Sequence, residues 1–236
     1  MKRYTWSIAG LVALLLMLTL SQAKAVLLSD LIKNSGTLVI GDKTFSNFNY
    51  TSASGGLVDP SAISVLTINP RPMVYGLEFQ GAWSNPTPST TLDGLLSYTV
   101  TSSGSPIIDA ELYGNPDMVD GAGNTAGTGL MSITESLINP SNNVVVGKLS
   151  IHDSASYAPG QGTTHNSISD DHIYFAPIYQ LNIKKDMMFR NSGLEPTLSF
   201  VDQTYSQVPE PGTIGMLIGS GVPGLMLLIR KRCLNH

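Results

Sequence analysis

Cysteine is nearly absent: Cys233 is the only one in 236 residues. No intrachain disulfide can form, and a zinc site built on several thiolates is excluded. Charged residues are scarce too, at 13%, and basic residues are the minority, 13 Lys plus Arg against 17 Asp plus Glu. A formal net charge of −4 leaves no basic stripe to neutralise phosphates, which argues against nucleic acid as a partner. No Gly-x-Ser-x-Gly elbow frames a catalytic serine. Helical periodicity is confined to one short amphipathic stretch, 27–33. Glycine (23) and proline (14) are too few for a low-complexity chain, yet enough to punctuate many turns.

The two ends carry what charge patterning there is. Lys2 and Arg3 precede an uncharged apolar run over 8–20, followed by Ser21-Gln22-Ala23-Lys24-Ala25. A positive start, a short apolar run and small residues at Ala23 and Ala25 make residues 1–25 a signal peptide, cut after Ala25. A cut after Ala23 is the alternative. The run is shorter than the roughly 20 residues a spanning helix needs.

At the other end stands Val208-Pro209-Glu210-Pro211-Gly212-Thr213. Its prolines forbid helix and central strand, so the segment is expected to be extended and open to a protease. An uncharged stretch follows over 214–229 and reads as a transmembrane helix. Arg230-Lys231-Arg232 closes it; such basic residues stay cytoplasmic, so the body lies outside, tethered by its tail.

The three parts of this tail, in this order, resemble the PEP-CTERM sorting signal of Gram-negative bacteria. The resemblance implies recognition by an exosortase-like membrane protease that cuts near Pro209-Glu210-Pro211. It also implies company with exopolysaccharide and a biofilm matrix. It covers residues 208–236 and carries a sorting route, without an activity.

Between these addresses lies the exported body, 26–207, with seven basic and 16 acidic residues, a net charge of −9. An acidic surface repels nucleic acid and anionic headgroups. Ten short apolar or alternating segments, from 37–40 to 198–205, read as strands separated by Gly, Pro, Asn and Asp clusters. Leu96, Tyr98 and Val100 alternate with Ser97, Thr99 and Thr101, and Pro177 marks a bulge or an edge strand. A single strand is expected over 172–183 and a loop over 158–169. The fold class is therefore mainly β: an antiparallel β-sandwich of jelly-roll type, with an N-terminal signal helix and a C-terminal transmembrane helix. Gly41-Asp42-Lys43-Thr44-Phe45, Tyr75-Gly76-Leu77-Glu78-Phe79 and Ser199-Phe200-Val201-Asp202 are laid out in a way similar to a recurring group of PEP-CTERM ectodomains.

Several constellations are candidates for chemistry. His165, Asp170, Asp171 and His172, with His152-Asp153 upstream, bring imidazole and carboxylate together as a metal site would. A solvated loop is the competing reading. Asp117 to Asn124 offers oxygen ligands around glycines but lacks the Asp-x-Asp-x-Asp-Gly spacing of a calcium loop. Glu78, Asp109, Glu111 and Glu135 lie on candidate strands, where a carboxylate pair for glycoside hydrolysis would need two of them to face each other. Tyr75, Phe79 and Trp83, four residues apart, share a strand face and form a candidate glycan-stacking platform; the same stripe also fits a core.

The expectation is an exported surface or extracellular-matrix protein with a structural or interaction role, with no enzymatic activity and no cofactor. Its partners are the membrane, an exosortase-like protease and exopolysaccharide. The alternative is a carbohydrate-binding module on the same β-sandwich.

Overall fold

The computed structural model describes residues 25–52, 57–120 and 126–207. Ala23, the sorting residues Val208, Pro209, Glu210 and Pro211, the basic cluster Arg230, Lys231 and Arg232, and Cys233 lie outside the described residues. So do the expected signal and transmembrane helices. Among the described residues no helix is long and apolar enough to cross a membrane.

Besides a 3-10 turn at Pro60–Ala62, the described residues of the body form thirteen strands and one short α-helix. In chain order they are β1 (Val26–Leu27), α1 (Leu28–Lys33), β2 (Leu38–Ile40), β3 (Lys43–Ser52), β4 (Ser64–Arg71), β5 (Val74–Ser84) and β6 (Thr90–Ser102). Then follow β7 (Ile107–Asp120), β8 (Gly127–Asn139), β9 (Val144–Ala158), β10 (Gly162–Ile168), β11 (Asp170–Ile178), β12 (Gln180–Ser192) and β13 (Leu194–Gln207). They form two sheets. Sheet I runs β1-β4-β5-β13-β7-β11, and sheet II runs β10-β9-β8-β12-β6-β3-β2. Every strand-to-strand pairing in both is antiparallel. The expected antiparallel sandwich is thus present, with most connections from β5 onward passing from one sheet to the other.

Alternation decides which side chains meet between the sheets. Leu77 and Phe79 on β5, Val201 and Tyr205 on β13, and Leu112 on β7 point inward from sheet I. From sheet II, Leu96, Tyr98 and Val100 of β6 face them, as the period-two pattern predicts, with Ile133 and Phe189 beside them. Burying one such aromatic or branched side chain contributes about 1.5–3 kcal/mol. The helix α1 adds Leu28 and Leu31, one turn apart on its inward face, to the same core.

Three expectations are corrected. The single strand over 172–183 is two strands in different sheets. β11 is the edge of sheet I, with its register shifting between Tyr174 and Ile178, around Pro177. The chain crosses at the exposed Tyr179, and β12 becomes an interior strand of sheet II. The loop over 158–169 contains β10, because its Ser, Thr and Asn backbone completes the free edge of β9; pairing overrides weak intrinsic propensity. Asp117 belongs to β7 rather than to a calcium loop, and its side chain accepts a hydrogen bond from the Met118 N–H.

The tightest close approach is at Gly76. A Cβ there would lie 2.0 Å from the Gln203 carbonyl oxygen, so only glycine lets β5 and β13 meet at this point. Along the edge of β9, the Asp171 carboxylate accepts from the Ser150 N–H at 2.7 Å, next to where the pairing with β10 stops.

Two lysines pin the sheets together from within. Lys185 on β12 touches Glu135 on β8 and the Gln203 side chain on β13. Lys43 on β3 donates to Asp42 at 2.6 Å, to the Ser102 hydroxyl at 3.0 Å and to the Gln207 side chain on β13.

Candidate functional site

The glycan-stacking platform expected from Tyr75, Phe79 and Trp83 does not exist as a surface. Phe79 and Trp83 are 0% and 1% exposed and belong to the core. Tyr75 packs against the Gly41 turn at the end of the sandwich, beneath Lys43, whose Nζ is 5.7 Å from the ring centroid. Leu77 and Phe79 face inward because β5 is an interior strand with these positions on its buried side, whereas Tyr75 is only half-buried. A sugar cannot reach Phe79 or Trp83.

The even-numbered residues of the same strand face outward, and there the structure assembles a different site. Glu78 of β5, Asp202 of β13, Tyr113 of β7 and Asp170 of β11 are successive cross-strand partners in one row. The next row is Ile68, Gly76, Thr204, Glu111 and His172. Gly76 contributes no side chain to this row. A groove of about 310 Å³ opens there, lined by Ile68, Arg71, Glu111, Tyr113, Asp202 and Thr204.

Its polar groups are interlinked. The Arg71 guanidinium donates to Glu111 Oε2 at 2.7 Å, and the Thr204 hydroxyl donates to the same oxygen at 3.4 Å. The Gln80 amide donates to Glu78. Partial burial, then the charge of Glu78 and a hydrogen bond with it, then the charge of Glu111, push the Asp202 carboxyl up to about 7. Asp202 Oδ1 is buried without a partner. Near neutral pH this carboxyl is half protonated, so it presents both a donor and an acceptor. Beside it, the Tyr113 ring is 41% exposed and stands 5.7 Å from the Phe200 ring at 46°.

Of the carboxylates singled out by sequence, Glu78, Asp109 and Glu111 do share this face. Asp109 sits one row on and accepts from the Ser206 N–H and hydroxyl, with His172 Nε2 3.5 Å away. Glu135 is elsewhere, in the core. The acids stand side by side on adjacent strands, not on opposing walls of a cleft. The His165–His172 cluster is pulled apart: His165 pairs with Asp153 at 3.3 Å beside sheet II, while His172 lies on sheet I. Among the described residues no group of three or more His, Cys, Asp or Glu side chains is arranged to hold a metal ion.

Asp202, Tyr113, Phe200, Arg71 and Thr204 were not singled out by the sequence. The signal available was the alternation Phe200, Asp202, Thr204 against Val201, Gln203, Tyr205 along one strand. It gains meaning only once β5, β13 and β7 are known to be neighbours. Sheet II carries two adjoining larger hollows, one of about 420 Å³ lined by Ser154, Ser156, Thr164, His165, Asn166 and Arg190 and one of about 430 Å³ that includes Tyr157.

No protein-family model matches the chain, and no curated protein matches it. Among solved structures, it overlaps the carbohydrate-binding module TmCBM61 in complex with β-1,4-galactotriose, at 10% identity and a TM-score of 0.29, over 66% of this chain and 86% of that one. It overlaps the family 11 xylanase from Neocallimastix patriciarum at 7% identity and a TM-score of 0.25, over 72% of this chain and 95% of the xylanase. The enzymatically active domain of bacteriophage CBA120 tailspike protein 4 is matched at 13% identity and a TM-score of 0.24, over 65% of this chain and 19% of that one. Overlaps of this size carry no argument about ligand or activity.

Proposed function

We propose that the chain is an exported surface or matrix protein whose 26–207 body binds polysaccharide through the outer face of sheet I. The observation that carries the reading is the exposed Tyr113 ring, paired with Phe200, at the rim of a hollow edged by Asp202, Glu111 and Arg71. A sugar presents a flat C–H face and a ring of hydroxyls. An exposed phenol takes the first, and a carboxyl–guanidinium–hydroxyl set takes the second. The three carboxyl groups Glu78, Asp202 and Glu111 outnumber Arg71, so a neutral or amino sugar fits better than an anionic one. Hydrolysis would need two acids flanking the scissile bond; acids side by side on one open face serve recognition instead. Sorting follows from the sequence: the signal peptide and the PEP-CTERM-like tail send the body outside the cytoplasm, held by 214–229 until an exosortase-like protease acts near Pro209–Pro211.

A glycan array with the full-length protein and its Tyr113→Ala variant tests the binding. A loss of tenfold or more in affinity is expected, about 1.4 kcal/mol. Absence of any bound glycan, or equal binding by the variant, would overturn the reading. Intact masses from membrane and extracellular fractions test the sorting. A released species ending near residues 209–211 supports processing; if every species retains Arg230 to His236, the processing step is wrong.

A further inference from the structure

The core holds a set of polar groups that the groove does not use. Lys185, Glu135 and Gln203 are each fully buried. Lys185 and Glu135 are direct cross-strand partners on β12 and β8, both facing inward from sheet II. Gln203 faces them from β13 in sheet I. Lys185 Nζ touches Glu135 Oε2 and Gln203 Oε1 together. Tyr98 and Tyr205 close the space, their hydroxyls 2.9 Å apart. Two atoms of the cluster are orphaned: Glu135 Oε1 and the Gln203 Nε2 amide group. A buried NH₂ without acceptors is costly, and native cores seldom keep one.

We propose that Lys185 and Gln203 are joined by an isopeptide bond that the folded chain forms by itself, with Glu135 carrying the proton. The Lys185 amine attacks Cδ of Gln203, one bond away from the Oε1 that Nζ already touches. The terminal torsion of a glutamine is soft, so a small rotation turns the carbonyl carbon toward the amine. The Nζ–Cδ bond forms, the Cδ–Nε2 bond breaks, and ammonia leaves. Glu135, as the neutral acid, polarises the carbonyl and passes the amine's proton to the departing nitrogen, ending as it began. No oxidant or cofactor enters, and the orphaned NH₂ is the group expelled.

The surroundings favour each step. Burial lowers the proton affinity of Lys185 and raises that of Glu135, which draws the pair toward neutral amine and neutral acid. The two acceptors on Nζ match the two N–H bonds of a free amine, whereas a third ammonium proton would have no partner among the described residues. Holding amine and amide in contact within a dry core supplies the high effective concentration that amide exchange lacks in solution. Lys43, Asp42 and Gln207 repeat the residue types, but there Nζ has three acceptors and Asp42 is partly open to water. Burial lowers the proton affinity of Lys43 too, but three acceptors and the Asp42 charge favour its ammonium form, and no bond forms.

Peptide mapping of the full-length protein by trypsin and mass spectrometry decides the matter. The expected product joins a peptide starting at Lys185 to one starting at Asn191 and containing Gln203, lighter than their sum by one ammonia. Lys185 is then resistant to cleavage while Lys43 is cut. In the Glu135→Gln variant the link should be lost, and in Gln203→Leu both the link and the ammonia deficit should vanish. Free, cleavable Lys185 in the folded wild-type protein overturns the proposal, even if neither variant folds. So does a bond from Lys185 to Glu135 with loss of water. A link that survives Glu135→Gln removes Glu135 from the mechanism and overturns that part.

Discussion

Lys185 and Lys43 both reach from sheet II to a glutamine of β13, and each has a carboxylate at hand. Their depth in the sandwich separates them. The Lys185 cluster lies in mid-core, where Glu135 has no water and one oxygen no partner. The Lys43 cluster lies at the end of the sandwich, where Asp42 keeps contact with solvent and Ser102 supplies an extra hydrogen bond. Burial raises Asp42, but hydrogen bonds from Lys43 and Ser102 outweigh it and hold the carboxyl below its ordinary 3.8. The same residue types therefore make an ordinary ion pair at the rim and a reactive set in the interior. What differs is the dielectric and the count of hydrogen-bond partners, not the chemistry of the side chains.

The largest expected effect is Lys185→Met. It removes the link to β13 and leaves the Glu135 carboxyl buried without a hydrogen-bond partner, and it should lower stability by about 1–3 kcal/mol or more in urea titration. Adding Glu135→Leu should recover part of that loss, because an apolar pair removes the stranded polar group. Lys43→Met is the matching change at the rim. It should cost about 1 kcal/mol or less, since Asp42 can turn to water. Equal costs at the two lysines would erase the contrast.

Acid and base should also tell regions apart. Asp202 is raised to about 7 in the folded state from an ordinary 3.8. The folded protein binds the extra proton, so stability falls as pH rises from about 4 to about 7 and is level above that. Once solvent screening of this half-exposed group is allowed for, the change is about 1–2 kcal/mol. Asp202→Asn should flatten it in thermal melts across that range. Asp42 works in the opposite sense: its contribution is present above 3.8 and is lost as pH falls toward its lower folded value. Asp42→Asn should therefore reduce the acid sensitivity, and a variant as acid-sensitive as the wild type would contradict the rim ion pair. The smallest effect belongs to Tyr113→Ala. An exposed ring on the outer face should change stability by only a few tenths of a kcal/mol while affecting glycan binding.

Much of the fold was legible in the chain. Leu96-Ser97-Tyr98-Thr99-Val100 announced a half-buried strand and became one. Pro177 announced an irregular edge and lies at one. The groove was not legible. Glu78 and Glu111 were visible as strand acids, yet nothing local says that β13 slots between β5 and β7 and brings Asp202 to them. Tyr75, Phe79 and Trp83 were legible as a stripe that fits either a platform or a core, and the core holds for Phe79 and Trp83; alternation gives the two faces of a strand without saying which one the second sheet covers.

By itself, then, the sequence determined the period-two strands and the lack of any disulfide framework, since each depends on residue identities and local spacing alone. Only the tertiary structure decided that Asp202, Glu78, Glu111 and Tyr113 share one face and that Lys185 meets Gln203 in the dry centre. Those neighbours come from different strands and, for Lys185, from different sheets. Their proton affinities and partners are set by burial and by pairings across the sandwich, which no local pattern encodes.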